Sequence, residues 1–143
     1  MPKAIHVKGL AEAAGVTTGA IYHHFESKVN LYAIVREEME RRIVDRMEGA
    51  AGVFDDPAES MKAAVLVGFD SAVKFGACRL LSEEDPSRGP DRIAEFLGTN
   101  QMEEVQGLAH ILPAAWRAAL HSVEQERLTF GEARNVLAWI FEK

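Results

Sequence analysis

The sequence is poor in cysteine and has no long apolar segment, and each of these absences excludes a class of protein. Cys78 is the only cysteine among 143 residues, so no internal disulfide framework can form and a reducing compartment is expected. No apolar run reaches the ~18 residues of a membrane-spanning helix. The first ten residues lack the basic start and long apolar centre of a secretion signal. The sequence therefore predicts a cytoplasmic protein with no membrane partner.

Strand patterns and the common catalytic motifs are missing as well. Apolar residues recur at helical spacing rather than in alternation, so we expect an all-α fold. The sequence contains no phosphate-binding loop, no dinucleotide-binding glycine pattern and no nucleophile elbow. His121 and Glu124 lie three residues apart, but the second pair that a carboxylate-bridged metal site requires is lacking. We therefore predict no enzyme, no catalytic or metal-binding residues and no cofactor.

The negative charge is concentrated in the second part of the chain. The net charge is −6. Residues 1–46 carry seven Lys and Arg against six acidic residues, whereas residues 47–143 carry nine against sixteen. A near-neutral first part can still present a local basic surface to an anionic partner.

The first part reads as three helices separated by short turns. Residues 7–13 can form a short helix, and Gly15 suits the left-handed position that ends it. Thr17 or Thr18 can cap a second helix that reaches His24. Ser27 is expected to cap a third, longer helix that runs to about residue 49, with an apolar stripe along one side. That stripe comprises Leu31, Ile34, Val35, Met39 and Ile43.

Predicted helix starts divide residues 47–143 into several helices. Asp56, Pro57 and Glu59 have the spacing of a helix start, and Asn100 with Glu103 and Thr129 with Glu132 repeat it. Pro113 is expected to kink or restart a helix near Leu112. The predicted core stripes of these helices are Met61, Val65, Phe69, Ala72 and Val73; Leu112, Trp116, Ala119, Leu120 and Val123; and Phe130, Ala133, Val136, Leu137 and Ile140.

Two short helices joined at Gly15, the second reading TTGAIYHH, have the layout of a helix-turn-helix. The second helix of that motif lies in the major groove of DNA, so its leading residues must be small. Residues 17–20, Thr-Thr-Gly-Ala, meet this need. Tyr22 and His23 follow one turn later, where ring donors can reach phosphate oxygens. The helix carries no Arg, Asn or Gln, the residues that most often read bases in pairs of hydrogen bonds.

The segment LAEAAGVTTGAIYHHFESKVNL resembles the DNA-binding signature of the tetracycline-repressor (TetR) family of bacterial regulators. The matching positions are Leu10, Ala11, Ala14, Gly15, Val16, Thr17, Ile21, Tyr22, His24, Phe25, Lys28 and Leu31. The resemblance implies a helix-turn-helix head, residues 1–46, followed by a helical ligand-binding and dimerisation domain, residues 47–143. It also implies a ligand-responsive regulator, expected to be a repressor, that binds a two-fold double-stranded DNA operator.

The resemblance further implies a homodimer held by the last two helices and a pocket for a small-molecule effector. The residues that it places at DNA are Lys8, Thr17, Thr18, Tyr22, His23, His24 and Lys28, with Gly19 at the groove floor. Candidate pocket residues are Phe69, Phe75, Phe96, His110 and Trp116.

The family begins with a further helix, for which residues 1–5 offer no counterpart. We therefore expect either that the chain is shortened at its start or that an unusual arrangement fills the gap. An alternative function follows if the helix is absent: a dimeric helical ligand-binding or interaction protein with an impaired DNA-binding head.

Overall fold

The computed structural model describes residues 18–83, 91–99 and 107–142, with side chains throughout except at residues 18–22, 24–27, 29, 30, 99 and 109. Every regular element in these ranges is a helix, which confirms the all-α fold. The helices are α1 (Thr18–Ala51), α2 (Pro57–Lys74), α3 (Cys78–Ser82), α4 (Arg92–Thr99), α5 (Leu108–Glu124) and α6 (Phe130–Trp139).

The chain divides into two units, Met1–Val35 and Arg36–Lys143. The described side chains of the first unit are largely exposed, with Leu31 at 60% and Ile34 at 64%. Among the described residues, the buried apolar core lies in the second unit. The boundary at residue 46, which separates the predicted DNA-binding head from the predicted ligand-binding domain, stays a prediction.

The prediction that one helix ends at His24 and another begins at Ser27 is wrong. α1 runs without interruption from Thr18 to Ala51. No glycine or proline lies between His24 and Ser27, so nothing in this segment forces the backbone out of the helix. A serine cap contributes only about 1 kcal/mol, and a helix that continues keeps its hydrogen bonds instead.

The core forms mainly along α2 and α5. Val65, Phe69 and Ala72 on α2 are fully buried, and Met61 is nearly so. On α5, Trp116 and Leu120 are fully buried and Leu112 is 1% exposed. α5 packs against α3, α4 and α6, while α2 packs against α3, α5 and α6. Both predicted stripes are confirmed, with Val73 and Val123 only partly buried at their ends.

Two other stripes are only partly correct. On α1, Ile43 is buried and Met39 half-buried, but Leu31, Ile34 and Val35 are exposed. On α6, Ala133 and Leu137 are buried while Phe130 and Val136 are 41% and 51% exposed. On α1 the buried face is rotated about the helix axis from the predicted one. It carries Arg36, Glu40, Ile43 and Met47. Spacings of four, three and four residues keep these side chains on one side of a helix.

Two predicted helix starts, at Asp56 and Thr129, are confirmed with their caps. The Asp56 carboxylate accepts the backbone N–H of Glu59 at 3.1 Å, and Pro57 is the first helical residue. At α6, Thr129 Oγ1 accepts the N–H of Glu132 at 3.1 Å, and the Glu132 carboxylate accepts the N–H of Thr129 at 3.0 Å. Pro113 lies inside α5, which begins five residues earlier at Leu108, so the predicted restart near Leu112 does not occur. The predicted start at Asn100 lies outside the described residues.

α2 and α5 are each followed by a residue in the left-handed conformation and by the same type of backbone hydrogen bond. Beyond α2, Gly76 has φ of +68°, and the N–H of Ala77 reaches the carbonyl of Ala72 at 2.9 Å. Beyond α5, Glu126 has φ of +57°, and the N–H of Arg127 reaches the carbonyl of Ser122 at 2.9 Å. This hydrogen bond and the left-handed residue define a Schellman motif, which reverses the chain within a few residues.

Candidate nucleic-acid interface

The first turns of α1 carry the described part of the predicted DNA-contacting set. The side chains of His23 and Lys28 are exposed. Exposure is the condition that a phosphate contact requires, because the donor must reach an oxygen on another molecule. An imidazole and an ammonium group are both hydrogen-bond donors suited to that contact. The arrangement is therefore compatible with contact to an anionic backbone.

The other predicted contact residues are placed less completely. Lys8 and Thr17 lie outside the described residues. Thr18, Gly19, Tyr22 and His24 belong to the α1 backbone, with Thr18 as its first residue. The roles assigned to all of these side chains stay predictions.

A buried pair of charges follows on the same helix. Arg36 and Glu40 are 3% and 7% exposed. Arg36 Nε donates to Glu40 Oε1 at 3.0 Å, and its two terminal nitrogens donate to the carbonyls of Leu80, at 2.8 Å, and Glu83. Those carbonyls belong to the last turn and C-cap of α3, where helix carbonyls lack partners of their own. The guanidinium thus caps α3 from α1.

Sequence reasoning missed Arg36 and Glu40, although a signal exists. Both fall in register with Ile43 and Met47, which are fully buried. A charged pair four residues apart on the apolar side of a helix predicts a buried ion pair better than a solvated one. Removing one partner of such a pair typically costs about 3–5 kcal/mol, because the other charge stays buried and unpaired.

Further ion pairs involve α1, α4 and α5. Arg92 on α4 donates to the Glu37 carboxylate at 2.9 Å. The hydrogen bonds from Arg41 and Arg42 lower the pKa of the exposed Glu38 carboxyl. Arg117, which is buried on α5, pairs with Asp91 next to the start of α4. α4 is therefore tied electrostatically to both α1 and α5.

The candidate effector residues do not share one environment. Phe69 and Trp116 are fully buried, Phe75 and Phe96 are partly buried, and His110 is exposed. Phe69 stacks on Phe130 with 5.5 Å between ring centroids. Arg46 lies 4.8 Å over the ring of Phe75, a cation–π contact. The indole N–H of Trp116 is buried and meets no acceptor in the described part of the chain.

Cys78, the first residue of α3, is a half-buried thiol. Burial, helped by the nearby charge of Glu124, raises its pKa. A raised pKa keeps a larger fraction of the group as the less reactive protonated thiol near neutral pH. Cys78 therefore lacks the lowered pKa of an activated cysteine nucleophile.

Comparison with known proteins identifies the class. Residues 3–35 match the family model of bacterial regulatory proteins of the tetR family. The match ends at Val35, where the first unit also ends. The match supports a DNA-binding transcriptional regulator.

The matched segment covers 33 of the 143 residues and is similar to the DNA-binding part of the TetR family, whose members are regulators rather than enzymes. No significant match exists among curated proteins or solved structures. Over the described residues, no helix is both long and apolar enough to cross a membrane.

Proposed function

We propose that the protein is a ligand-responsive repressor that binds a two-fold operator as a homodimer. The observation that carries the proposal is the family match over residues 3–35, within which α1 exposes His23 and Lys28. Tyr22, His24 and Lys28 contact mainly phosphates, and Thr17, Thr18 and Gly19 enter the groove. Lys8 and His23 also contact the DNA. Two such heads about 34 Å apart read the two halves of the operator.

The last two helices support the dimer. On α5, the exposed residues Ile111, Ala114 and Ala118 follow one another at helical spacing. On α6, Val136 and Trp139 are 51% and 71% exposed. Adjacent helices that both expose apolar side chains favour burial against a second copy, because exposed apolar patches commonly mark contact surfaces. A four-helix bundle joins the two chains in this proposal.

The effector site is placed in the helical domain, residues 47–143, near Phe69, Phe75, Phe96, His110 and Trp116. The buried Trp116 N–H supports this placement, since buried donors in native proteins nearly always find an acceptor. An effector oxygen can serve as that acceptor. Binding there releases DNA to the extent that the effector prefers the conformation with the wrong head spacing. A regulator of this kind acts on bacterial DNA in the cytoplasm.

Anisotropy titration with DNA that flanks the protein's own coding region tests the proposal. We expect specific retention that falls steeply with salt, because Lys and Arg release counterions from phosphates. Lys28→Ala should weaken binding to all sequences alike and reduce the slope of log K against log salt by about 1 per protomer.

Lys74→Ala is the matched control, since Lys74 is an exposed lysine on α2 outside the matched segment. A change of base preference in Lys28→Ala, with affinity unchanged, contradicts the phosphate role. Salt-insensitive or absent DNA binding by the wild-type dimer instead favours the helical ligand-binding protein with an impaired head.

A further inference from the structure

Within the second unit, an ion pair joins α6 to α2 by two parallel hydrogen bonds. Arg134 Nε donates to Asp70 Oδ1 at 2.8 Å, and a terminal nitrogen of Arg134 donates to Asp70 Oδ2 at 3.2 Å. The guanidinium is planar and its donors form a rigid fork, so this arrangement fixes the orientation of the two groups as well as their distance. The side chains of Arg134 and Asp70 are 39% and 37% exposed, and solvent therefore screens the pair only in part.

An aromatic contact joins the same two helices beside this pair. Phe69, which precedes Asp70 on α2, stacks on the ring of Phe130 with 5.5 Å between the centroids. Phe130 and Arg134 are four residues apart and share a side of α6. Burial of apolar surface is not directional, so the stacked rings oppose separation of the helices more than they fix the rotation of α6.

The apolar anchor of α6 is small. The buried residues among its ten are Ala133 and Leu137. Alanine contributes a single methyl group, so most of the fully buried apolar side chain of this helix comes from one leucine. Packing of this extent restricts rotation about the helix axis weakly, whereas the fork of Arg134 restricts it directly.

The exposed apolar residues of α6 point away from this pair. Successive residues of an α-helix turn by about 100°, which places Val136 about 160° and Trp139 about 140° from Arg134 around the axis. Their exposed fractions of 51% and 71% agree with that placement. A rotation of α6 by one residue position would turn both side chains by about 100°, so the pair with Asp70 sets the direction in which they face.

We propose that Arg134, held by Asp70, is a positioning residue for self-association, because it keeps α6 in the rotation at which Val136 and Trp139 meet a second copy of the chain. Its effect on the dimer rests on the proposed function, whereas its effect on α6 does not. Both copies must present the same face at once in a two-fold interface. If loss of the fork leaves about a third of the chains with α6 correctly rotated, the dimer dissociation constant rises by the inverse square, about tenfold.

Sedimentation over a concentration series compares Arg134→Lys with Arg92→Lys. Both variants keep the positive charge and remove the fork from a pair that joins two helices, but Arg92 pairs with Glu37 between α4 and α1. We expect a dissociation constant about tenfold higher for Arg134→Lys and unchanged for Arg92→Lys. Asp70→Asn should weaken the dimer as well, although Asp70 lies on α2 and outside the proposed interface.

Amide exchange separates a positioning role from a direct contact with the partner. Each variant is combined for this purpose with Trp139→Lys, which places a charge in the proposed interface, so that single chains are compared. We expect faster exchange over residues 130–139 in the Arg134→Lys and Asp70→Asn chains, and unchanged exchange over residues 61–72 of α2.

Two results would overturn the inference. Wild-type dimer affinity in both Arg134→Lys and Asp70→Asn would show that the pair does not matter for association. Weaker association with unchanged exchange over residues 130–139 would show that α6 is held without the pair. If the wild-type chain is a monomer at every concentration, the proposed dimer and its positioning residue fail together, and the exchange data still decide whether Arg134 holds α6.

Discussion

At Gly68, α2 approaches α1 so closely that one methyl group has no room. A Cβ there would stand 2.2 Å from Met47 Cε and 2.9 Å from Met47 Cγ. Met47 is itself fully buried, so its side chain has little space in which to move. The close approach of these two helices therefore requires glycine at residue 68.

Gly68→Ala should destabilise the protein despite the better helix propensity of alanine. Overpacking costs about 1–3 kcal/mol, and alanine in a helix returns about 1 kcal/mol, so the expected net loss is on the order of 1 kcal/mol. Urea denaturation measures it. Gly49→Ala is the control, because a Cβ at Gly49 meets nothing within 4 Å and only the gain of about 0.5–1 kcal/mol applies. Equal stability of the two variants would mean that Met47 moves aside freely.

Among the elements, α6 depends most on its first turn. It has only ten residues, and isolated helices of that length are marginal in water. Two hydrogen bonds between Thr129 and Glu132 satisfy backbone donors at its start. The backbone and hydroxyl bonds with Thr129 lower the pKa of the Glu132 carboxyl. The ionised form therefore stabilises the folded state.

This lowered pKa predicts a stability that depends on pH. The contribution of Glu132 is fully present above the pKa of the unfolded chain and is lost as pH falls through the lower folded value. Thermal unfolding of the wild type and Glu132→Gln, compared from about pH 6 to pH 3.5, should show a gap that closes with acid. Glu142→Gln is the control, because it also removes one exposed negative charge. A gap that widens with acid would refute the assignment.

The helix caps and the DNA-binding motif could be predicted from sequence because both depend on near neighbours. Asp56 and Glu59, like Thr129 and Glu132, lie three residues apart, and the family match spans one short segment. The carbonyl acceptors of Arg36 could not be predicted, since they lie 44 and 47 residues away and every residue type has a carbonyl. The uninterrupted course of α1 was missed because a serine that can cap a helix can also continue one.

For the whole molecule, α5 and α6 expose apolar side chains that the proposed dimer would cover. Trp139 is 71% exposed and Ile111 62%. An apolar stripe in a sequence shows which face of a helix avoids water but does not distinguish the chain's own core from another copy. The proposed dimer accounts for these residues without any change within the protomer.

Trp139→Lys should separate the dimer into single chains. Tryptophan is a frequent anchor of interfaces, and a buried lysine adds a desolvation cost, so we expect the dimer dissociation constant to rise by about two orders of magnitude. Analytical ultracentrifugation over a concentration series measures this change. Val53→Lys is the control, because Val53 is 76% exposed in the turn after α1 and outside the last two helices. Equal weakening by both variants, or none by Trp139→Lys, would place the interface elsewhere.

The single cysteine, whose thiol is half-buried, allows the protein to be labelled at one position. A maleimide or disulfide reagent can attach one fluorophore per chain, at Cys78, without any engineered site. Because burial raises the pKa of this thiol, attachment is faster in mildly alkaline buffer than at neutral pH. The dye would sit two residues before Leu80, whose carbonyl accepts the Arg36 guanidinium. Changes in its emission during titrations would therefore report on the contact between α1 and α3 in the folded protein.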